Sequence, residues 1–429
     1  MSLLFKTVDW ADNSNIYEVN TRQYTKEGTF KAFVPHLRRL KNMGVEILWF
    51  MPTTPISLEK RQGSLGSYYA VDDYAAVNRE FGTMDDFKDL VQQAHSFDMK
   101  VIIDWVANHT GWGSAWAKQY PEWFKKDAAG NFTDAHGWVD VIDLDYTNKD
   151  MRKAMIAAMQ HWIVTCDIDG FRCDMAHLVP LDFWKEAREQ CDGIKPLYWL
   201  AESDEADYLK VFDASYAWEW MQVSTDLVRH QMTPERMMNV LVKYANQCTI
   251  HAQKLFFTAN HDENSWNGTE YEKYGDTAMA FAVFTATWRG IPLIYSGQEL
   301  PNKKRLRFFD KDEIEWSDIH PPALHDFYHK LLFFRKRCPV FDCAAELVML
   351  PTGVEDKVVA YICYKEDEDK LALMLFNFSS AGRVKFDIKH EKLKGIFRNI
   401  FSELSFHFDD TVSFEMQPWQ YFVYEKIGE

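Results

Sequence analysis

Asp169-Gly170-Phe171-Arg172-Cys173-Asp174 is the stretch around which the chain is organised. It follows an apolar helical run, Met151 to Ile163, and leads into Met175-Ala176-His177. A β-strand turns successive side chains to opposite faces, so Arg172 and Asp174 share one. A carboxylate two residues beyond an arginine, at a strand's end, is held ionised by the adjacent cation. Such a carboxylate serves as a nucleophile or as half of a buried structural ion pair. Three more polar clusters stand at similar apolar strand ends, in Asp104 to His109, Glu202 to Asp204 and Asn260 to Asp262, and their company favours chemistry.

Outward from that stretch, short apolar β-type runs alternate with longer amphipathic ones, the pattern of a parallel sheet wrapped by helices. Strands are expected over Asn15 to Val19, Glu46 to Met51 and Lys100 to Trp105, then in two runs ending at Asp174 and Glu202. Asp213 to Trp218, Leu255 to Ala259 and Ile291 to Ser296 complete the set. Helical patterns cover Thr29 to Met43, Met84 to Ser96, Phe183 to Gln190 and Thr277 to Arg289. Eight strands with crossovers predict an α/β fold, a closed (β/α)8 barrel whose chemistry sits at the C-terminal ends of its strands.

Two segments break the alternation. Thr110 to Tyr146 has no clear periodicity and is too long for an ordinary βα loop, which predicts a small inserted subdomain over 106–145. After a last helix, Pro322 to Lys336, the pattern changes at Cys338-Pro339, and strands dominate from Glu346 onward. Val358 to Tyr364, Leu371 to Phe378, Arg383 to Ile388, Val412 to Phe414 and Tyr421 to Glu425 predict a C-terminal antiparallel β-sandwich over 338–429. The barrel then comprises 1–105 and 146–337. Trp419, Tyr421, Phe422 and Tyr424 read as one apolar face that packs on the barrel.

A formal charge of −16 over 429 residues argues against nucleic-acid phosphates and anionic membranes as partners, and suits a neutral substrate. Sixteen tryptophans are many, and sugars need flat apolar faces with polar edges. Of seven cysteines, Cys166, Cys173 and Cys363 lie in apolar contexts, and no CxxC pair suggests zinc. Met1 to Trp10 lacks a basic region followed by an apolar run, which favours a cytoplasmic location, and no run reaches membrane-span length.

The four clusters come in a fixed order: Asp104-Trp105-Val106-Ala107-Asn108-His109, Gly170-Phe171-Arg172-Cys173-Asp174, Glu202 after Trp199-Leu200-Ala201, and Asn260-His261-Asp262. This closely resembles the α-amylase family of glycoside hydrolases, whose conserved segments end barrel strands three, four, five and seven. Gly66 to Tyr74 with Asn78 to Thr83 is similar to the family's segment after strand two. Gly297-Gln298-Glu299 with Arg307 to Trp316 is similar to its stretch after strand eight, and Gln417-Pro418-Trp419 to the end of its C-terminal domain.

The resemblance implies Asp174 as nucleophile, Glu202 as general acid/base and Asp262 as the carboxylate that stabilises the transition state. It implies that Arg172 keeps Asp174 charged, that His109 and His261 bond sugar hydroxyls, that Asp104 supports the cluster and that Tyr68 stacks on the sugar. Splitting an acetal needs one protonated acid and one ionised carboxylate. An arginine beside only Asp174 would separate the two. Trp112, Trp116, Trp138 and Trp266 lie in loops at the expected mouth.

Many α-amylases carry a lysine and a histidine at the third and fourth positions after the nucleophile. Here His177 and Leu178 stand there, and His177 is taken as a substrate contact. Asn108 and Asp143 match two calcium ligands of the family, and oxygen ligands suit calcium; no organic cofactor is implied. The implied activity is retaining hydrolysis of α-1,4 links in starch-like glucans or maltodextrins. A transglycosylase or isomerase of the same family is the near rival, and a non-catalytic sugar-binding relative the distant one.

Overall fold

A computed structural model describes residues 5–134, 136–247, 252–316, 321–342 and 344–428. Eight parallel strands close into a barrel: β1 Ile16–Val19, β2 Ile47–Phe50, β3 Lys100–Val106, β4 Gly170–Asp174, β5 Tyr198–Ala201, β6 Ala214–Tyr216, β7 Gln253–Phe256 and β8 Ile291–Tyr295. Neighbours follow chain order, and β1 pairs with β8 to close the ring, Ile16 opposite Leu293. The expected (β/α)8 barrel is the observed one.

Alternation divides each strand between two cores. Val101, Ile103, Trp105, Phe171, Cys173 and Trp199 face the surrounding helices, while Ile16, Trp49, Ile102, Leu200 and Tyr216 fill the interior. Arg172 falls on the interior parity, with Asp104 of β3 opposite it. Gly170 begins β4 because the strands press close there: a Cβ would lie 2.1 Å from the Tyr198 carbonyl oxygen.

Helix ends follow their caps. Thr83 and Asp86 form a reciprocal capping box at the start of Met84–Ser96. Asn148 accepts the Asp150 and Met151 N–H groups to open Lys149–Cys166. The single helix expected over Thr29 to Met43 is instead Phe30–Phe33, a 3-10 turn at Val34–His36 and Leu37–Met43. Pro35 lacks the N–H that an unbroken helix would use. Two helices, Trp218–His230 and Glu235–Gln247, precede β7 and were not anticipated. Among the described residues no helix is long and apolar enough to cross a membrane. Cys166, Cys173 and Cys363 are buried as expected; Cys248 and Cys343 lie outside the described residues.

The inserted segment is pinned by a short hairpin, His109–Gly111 paired with Val141–Asp143. Beyond the barrel, a six-stranded antiparallel sheet includes Val358–Lys365, Lys370–Asn377 and Tyr421–Gly428, and continues through Gly395–Asn399 and Ser405–Phe408, two strands not foreseen. A two-stranded sheet, Val384–Lys389 with Thr411–Met416, covers one face through Val384, Phe386, Ile388, Phe414 and Met416. The other face presents Tyr361, Met374, Phe376 and Val423 to the barrel helices, against Phe281, Phe284, Trp288 and Phe334. The expected single face of Trp419, Tyr421, Phe422 and Tyr424 is therefore split. Trp419 and Tyr421 pack toward the barrel, whereas Phe422 and Tyr424 join the core between the sheets, as period-two alternation requires.

The shared layer should make the sheet indispensable. Truncation after Lys336 should yield insoluble protein, and Phe284→Ala, which empties a site stacked against Trp288 and edge-on to Phe376, should lower stability by about 3–5 kcal/mol in denaturant titrations. A soluble, fully active truncated chain would refute this.

Candidate active site

The C-terminal ends of the strands open on a cleft of about 290 Å³ whose lining includes Asp174, Glu202, Asp262 and His109. Its floor is built on Arg172, fully buried on β4. The Nη1 group donates to Asp104 Oδ1 at 2.9 Å and to Asp174 Oδ1 at 3.1 Å. Nη2 lies 2.8 Å from Glu202 Oε2, an ion pair without the alignment of a hydrogen bond. Nε reaches the Tyr216 hydroxyl at 3.2 Å, and the guanidinium lies 4.9 Å from the centre of the Trp49 ring. The expectation that the arginine attends only one carboxylate is thus corrected: β4 and β5 run side by side, with Cys173 opposite Ala201, so one guanidinium reaches both strand ends.

Burial and the charge of Glu202 push Asp174 well above the ordinary carboxylate range, with Arg172 opposing. Asp174 therefore holds a proton more readily than an ordinary carboxylate does. Asp174 Oδ2 is buried and accepts no hydrogen bond. Glu202 Oε2 accepts the Met175 N–H at 2.8 Å. Met175 can offer it because its backbone is left-handed, φ 42°, an unusual conformation for a side chain of that size.

A second network starts from Glu18 on β1, a residue the sequence reading did not single out. Glu18 Oε1 lies 2.5 Å from His261 Nδ1, while His261 Nε2 is 2.7 Å from the Tyr69 hydroxyl and 3.2 Å from Asp262 Oδ2. Tyr69 donates to Asp104 Oδ2 at 3.1 Å, which joins this network to the arginine. With an acceptor at each nitrogen, His261 is an imidazolium. Burial opposes that charge, but Asp262 and Glu18 outweigh it and hold its pKa well above the ordinary value. Burial likewise raises Asp262, and His261 more than offsets it, leaving Asp262 below the usual range. His109 is the opposite case: burial, helped by His136, pushes it down to about 3.

Several expected contacts move. Tyr68 is buried, donates to Asn20 and carries Arg22 over its ring; its neighbour Tyr69 faces the cleft instead. Adjacent residues on this loop differ only in which way the chain turns, which the spacing did not reveal. Asp104 is sealed beneath Trp49, Tyr69 and Arg172, so it braces the site without lining it. His177 is exposed and does not line the cleft; its Nδ1 is 3.4 Å from the Glu202 carbonyl. Trp138 and Trp266 line the cleft, whereas Trp116 packs on Tyr74 and Trp123, and Trp112 lies under Lys60.

Phe308 and Phe309, unforeseen individually, continue the wall from Trp266. Their loop is stitched to the end of β1: Gln23 Nε2 donates to the carbonyls of Arg307 and Asp310, and Gln23 Oε1 accepts the Asp312 N–H. Arg22 Nη1 donates to Phe308 and Gly66 carbonyls. Gly63, at φ 61°, fits there because a Cβ would come within 2.5 Å of Phe309.

Asn108 and Asp143 are both buried and meet at the root of the hairpin, where His109 pairs with Asp143 and the Leu144 N–H donates to the Asn108 carbonyl. Thr133 donates to Asp143 Oδ2 at 3.3 Å. No group of three His, Cys, Asp or Glu side chains suited to a metal occurs among the described residues.

A family model described as "Alpha amylase, catalytic domain" matches residues 10–138 and 112–315. The α-amylase MalA of Haloarcula japonica is 26% identical over 391 residues, covering 86% of this chain and 56% of its own length. The chain thus spans little more than half of that relative. The crystal structure of a noncanonic maltogenic α-amylase, AmyB, from Thermotoga neapolitana superposes with a TM-score of 0.89 at 28% identity, covering 98% of this chain and all of the other. An α-amylase from Lactobacillus plantarum gives 0.85 at 29% identity, covering 97% and 99%.

The two histidines should separate by NMR. His261 should remain an imidazolium above pH 7, and His109 should stay neutral at pH 5. An unfolded histidine titrates near 6.5, so the stability contributed by the His261 charge is fully present below about pH 6.5 and is lost as pH rises through the raised folded value. Glu18→Gln should bring the His261 transition down toward that ordinary value. A His261 that titrates normally in the wild-type chain would overturn the network.

Proposed function

The chain belongs to the α-amylase family of glycosidases, and from that premise we propose that it is a retaining α-glucan hydrolase acting on α-1,4 links of starch-like or maltodextrin chains. The names of its relatives, α-amylase and maltogenic α-amylase, support that substrate class. The observation that carries the reading is the unbonded, buried Oδ2 of Asp174, with Glu202 beside it and one guanidinium reaching both.

In this mechanism Asp174 attacks the anomeric carbon through that free oxygen while Glu202 gives its proton to the leaving oxygen. Developing positive charge on the sugar stabilises Asp174 as the anion. Asp262, kept ionised by His261, faces the same charge. Water then enters, Glu202 takes its proton, and the covalent link to Asp174 breaks. Carboxyl groups on adjoining strand ends suit the separation of about 5–5.5 Å that retention needs, against roughly 6.5–9.5 Å for inversion.

NMR of fresh maltoheptaose digests should therefore show the α anomer first, and a β product would refute the assignment. Asp174→Asn should lower kcat by at least about 10⁴-fold. Glu202→Gln should still turn over an aryl glycoside with a good leaving group, with azide speeding release. Asp262→Asn should lose activity without that rescue.

We further propose that Asn108 and Asp143, with main-chain oxygens near Leu178, hold a calcium ion that ties the inserted hairpin to the barrel. The buried oxygen donors suit a hard cation, and a single carboxylate makes the site a modest one. Chelation should lower the melting temperature and calcium restore it, by mass action on the native state. Metal-free purified protein whose melting ignores both treatments would remove the site.

A further inference from the structure

The catalytic reading leaves one carboxylate of the cleft unused. Asp140 lies in the turn between Trp138 and the hairpin strand Val141–Asp143, where the Val141 N–H donates to the Trp138 carbonyl at 3.2 Å. Trp112 Nε1 fastens the same turn by donating to the Val139 carbonyl. Asp140 is only 4% exposed, yet it lines the cleft together with Trp138 and Gln62. Its Oδ2 meets no hydrogen-bond donor among the described residues. Burial raises its pKa, and what opposes the rise is its own backbone and the Gln62 amide, with no cation among them. A buried acceptor left in this state, facing a cleft, is satisfied by water or by a ligand that displaces it.

We propose that Asp140, Gln62 and the ring of Trp138 form a sugar subsite that receives the vicinal hydroxyls of one neutral glucosyl unit next to the bond being cleaved. A carboxylate accepts O–H groups strongly and donates nothing, so it selects a hydroxyl over a carbonyl or an anion. Gln62 adds one acceptor and two N–H donors, enough to pair with a second, neighbouring hydroxyl. Trp138 supplies the flat apolar surface for the ring face. It stands edge-on to His109, ring centres 5.4 Å apart, which places the subsite beside the reacting unit and across from the wall of Trp266 and Phe308. Gln62 precedes Gly63, whose backbone runs close against Phe309.

This rests on the α-glucan reading above, and the test separates the two. Calorimetric titration of maltoheptaose into the Asp174→Asn chain measures binding without turnover. Adding Asp140→Ala should weaken that binding at least about ten-fold. Asp140→Asn should fall between, and Gln62→Ala, on a half-buried loop, should weaken it less. Because Asp140 has no cation to lose, Asp140→Asn should leave the melting temperature unchanged or raise it, which a structural carboxylate would not do. Affinities of all three variants within about two-fold of the Asp174→Asn parent would overturn the subsite, as would a lower melting temperature of Asp140→Asn with affinity unchanged. An Asp174→Asn chain that binds no maltoheptaose while Asp140 is intact would overturn the α-glucan reading and the subsite with it.

Discussion

Everything at the open end of the barrel depends on one buried guanidinium. Arg172 contacts Asp104, Asp174 and Glu202, three carboxyls at the ends of three neighbouring strands. Without it, charge at the floor would face desolvation that no burial of apolar surface repays. The strand register places it there: Asp104 stands opposite Arg172 on β3, and Leu200 opposite it on β5. Trp49 and Tyr216 close over it, so the pair geometry of Asp174 and Glu202 is inherited from the barrel's parity and does not rely on mobile loops.

The second cation, His261, does for Glu18 and Asp262 what Arg172 does for the other three. Together two cations serve five carboxyls, and the Tyr69 hydroxyl bridges the two groups. Acid thus exceeds base at the floor of the cleft, which leaves the site with an excess of negative charge. A field of that sign does little for a neutral sugar in its resting form and much for one developing positive charge, which is how preorganised electrostatics favours a transition state over a ground state.

The barrel was legible because its strands carry short apolar runs at regular intervals, and because polar residues recur at one end of them. The carboxylates Asp174, Glu202 and Asp262 stood out for the same reason, each at or just beyond the end of an apolar run, and the structure brings all three to one cleft. What escaped were facts of direction and partnership. Tyr68 and Tyr69 are chemically identical in sequence, and only the turn decides which faces the cleft. Glu18 sits mid-run in Ile16–Val19 and looks like a polar interruption until its partner, 243 positions away, is brought beside it. The reach of Arg172 to Glu202 depends on strand adjacency, and the split of Phe422 from Tyr421 on which sheet covers which face. The strands Gly395–Asn399 and Ser405–Phe408 were hidden because their alternation is weak, with exposed Ile396 and Phe406 on outward positions.

The fastening of the loop that carries Phe308 and Phe309 has a mechanical consequence. One jaw of the cleft is bolted to the rim of the barrel by Gln23 and Arg22, through carbonyl after carbonyl. The opposite jaw, bearing Trp138, is held by the ladder of His109–Gly111 with Val141–Asp143, by the Gly111 N–H on the Val71 carbonyl and by the Gly113 N–H on Ser57 Oγ. Both jaws are therefore fastened to the barrel by main-chain bonds, and the spacing between them sets the shape that a ligand must match.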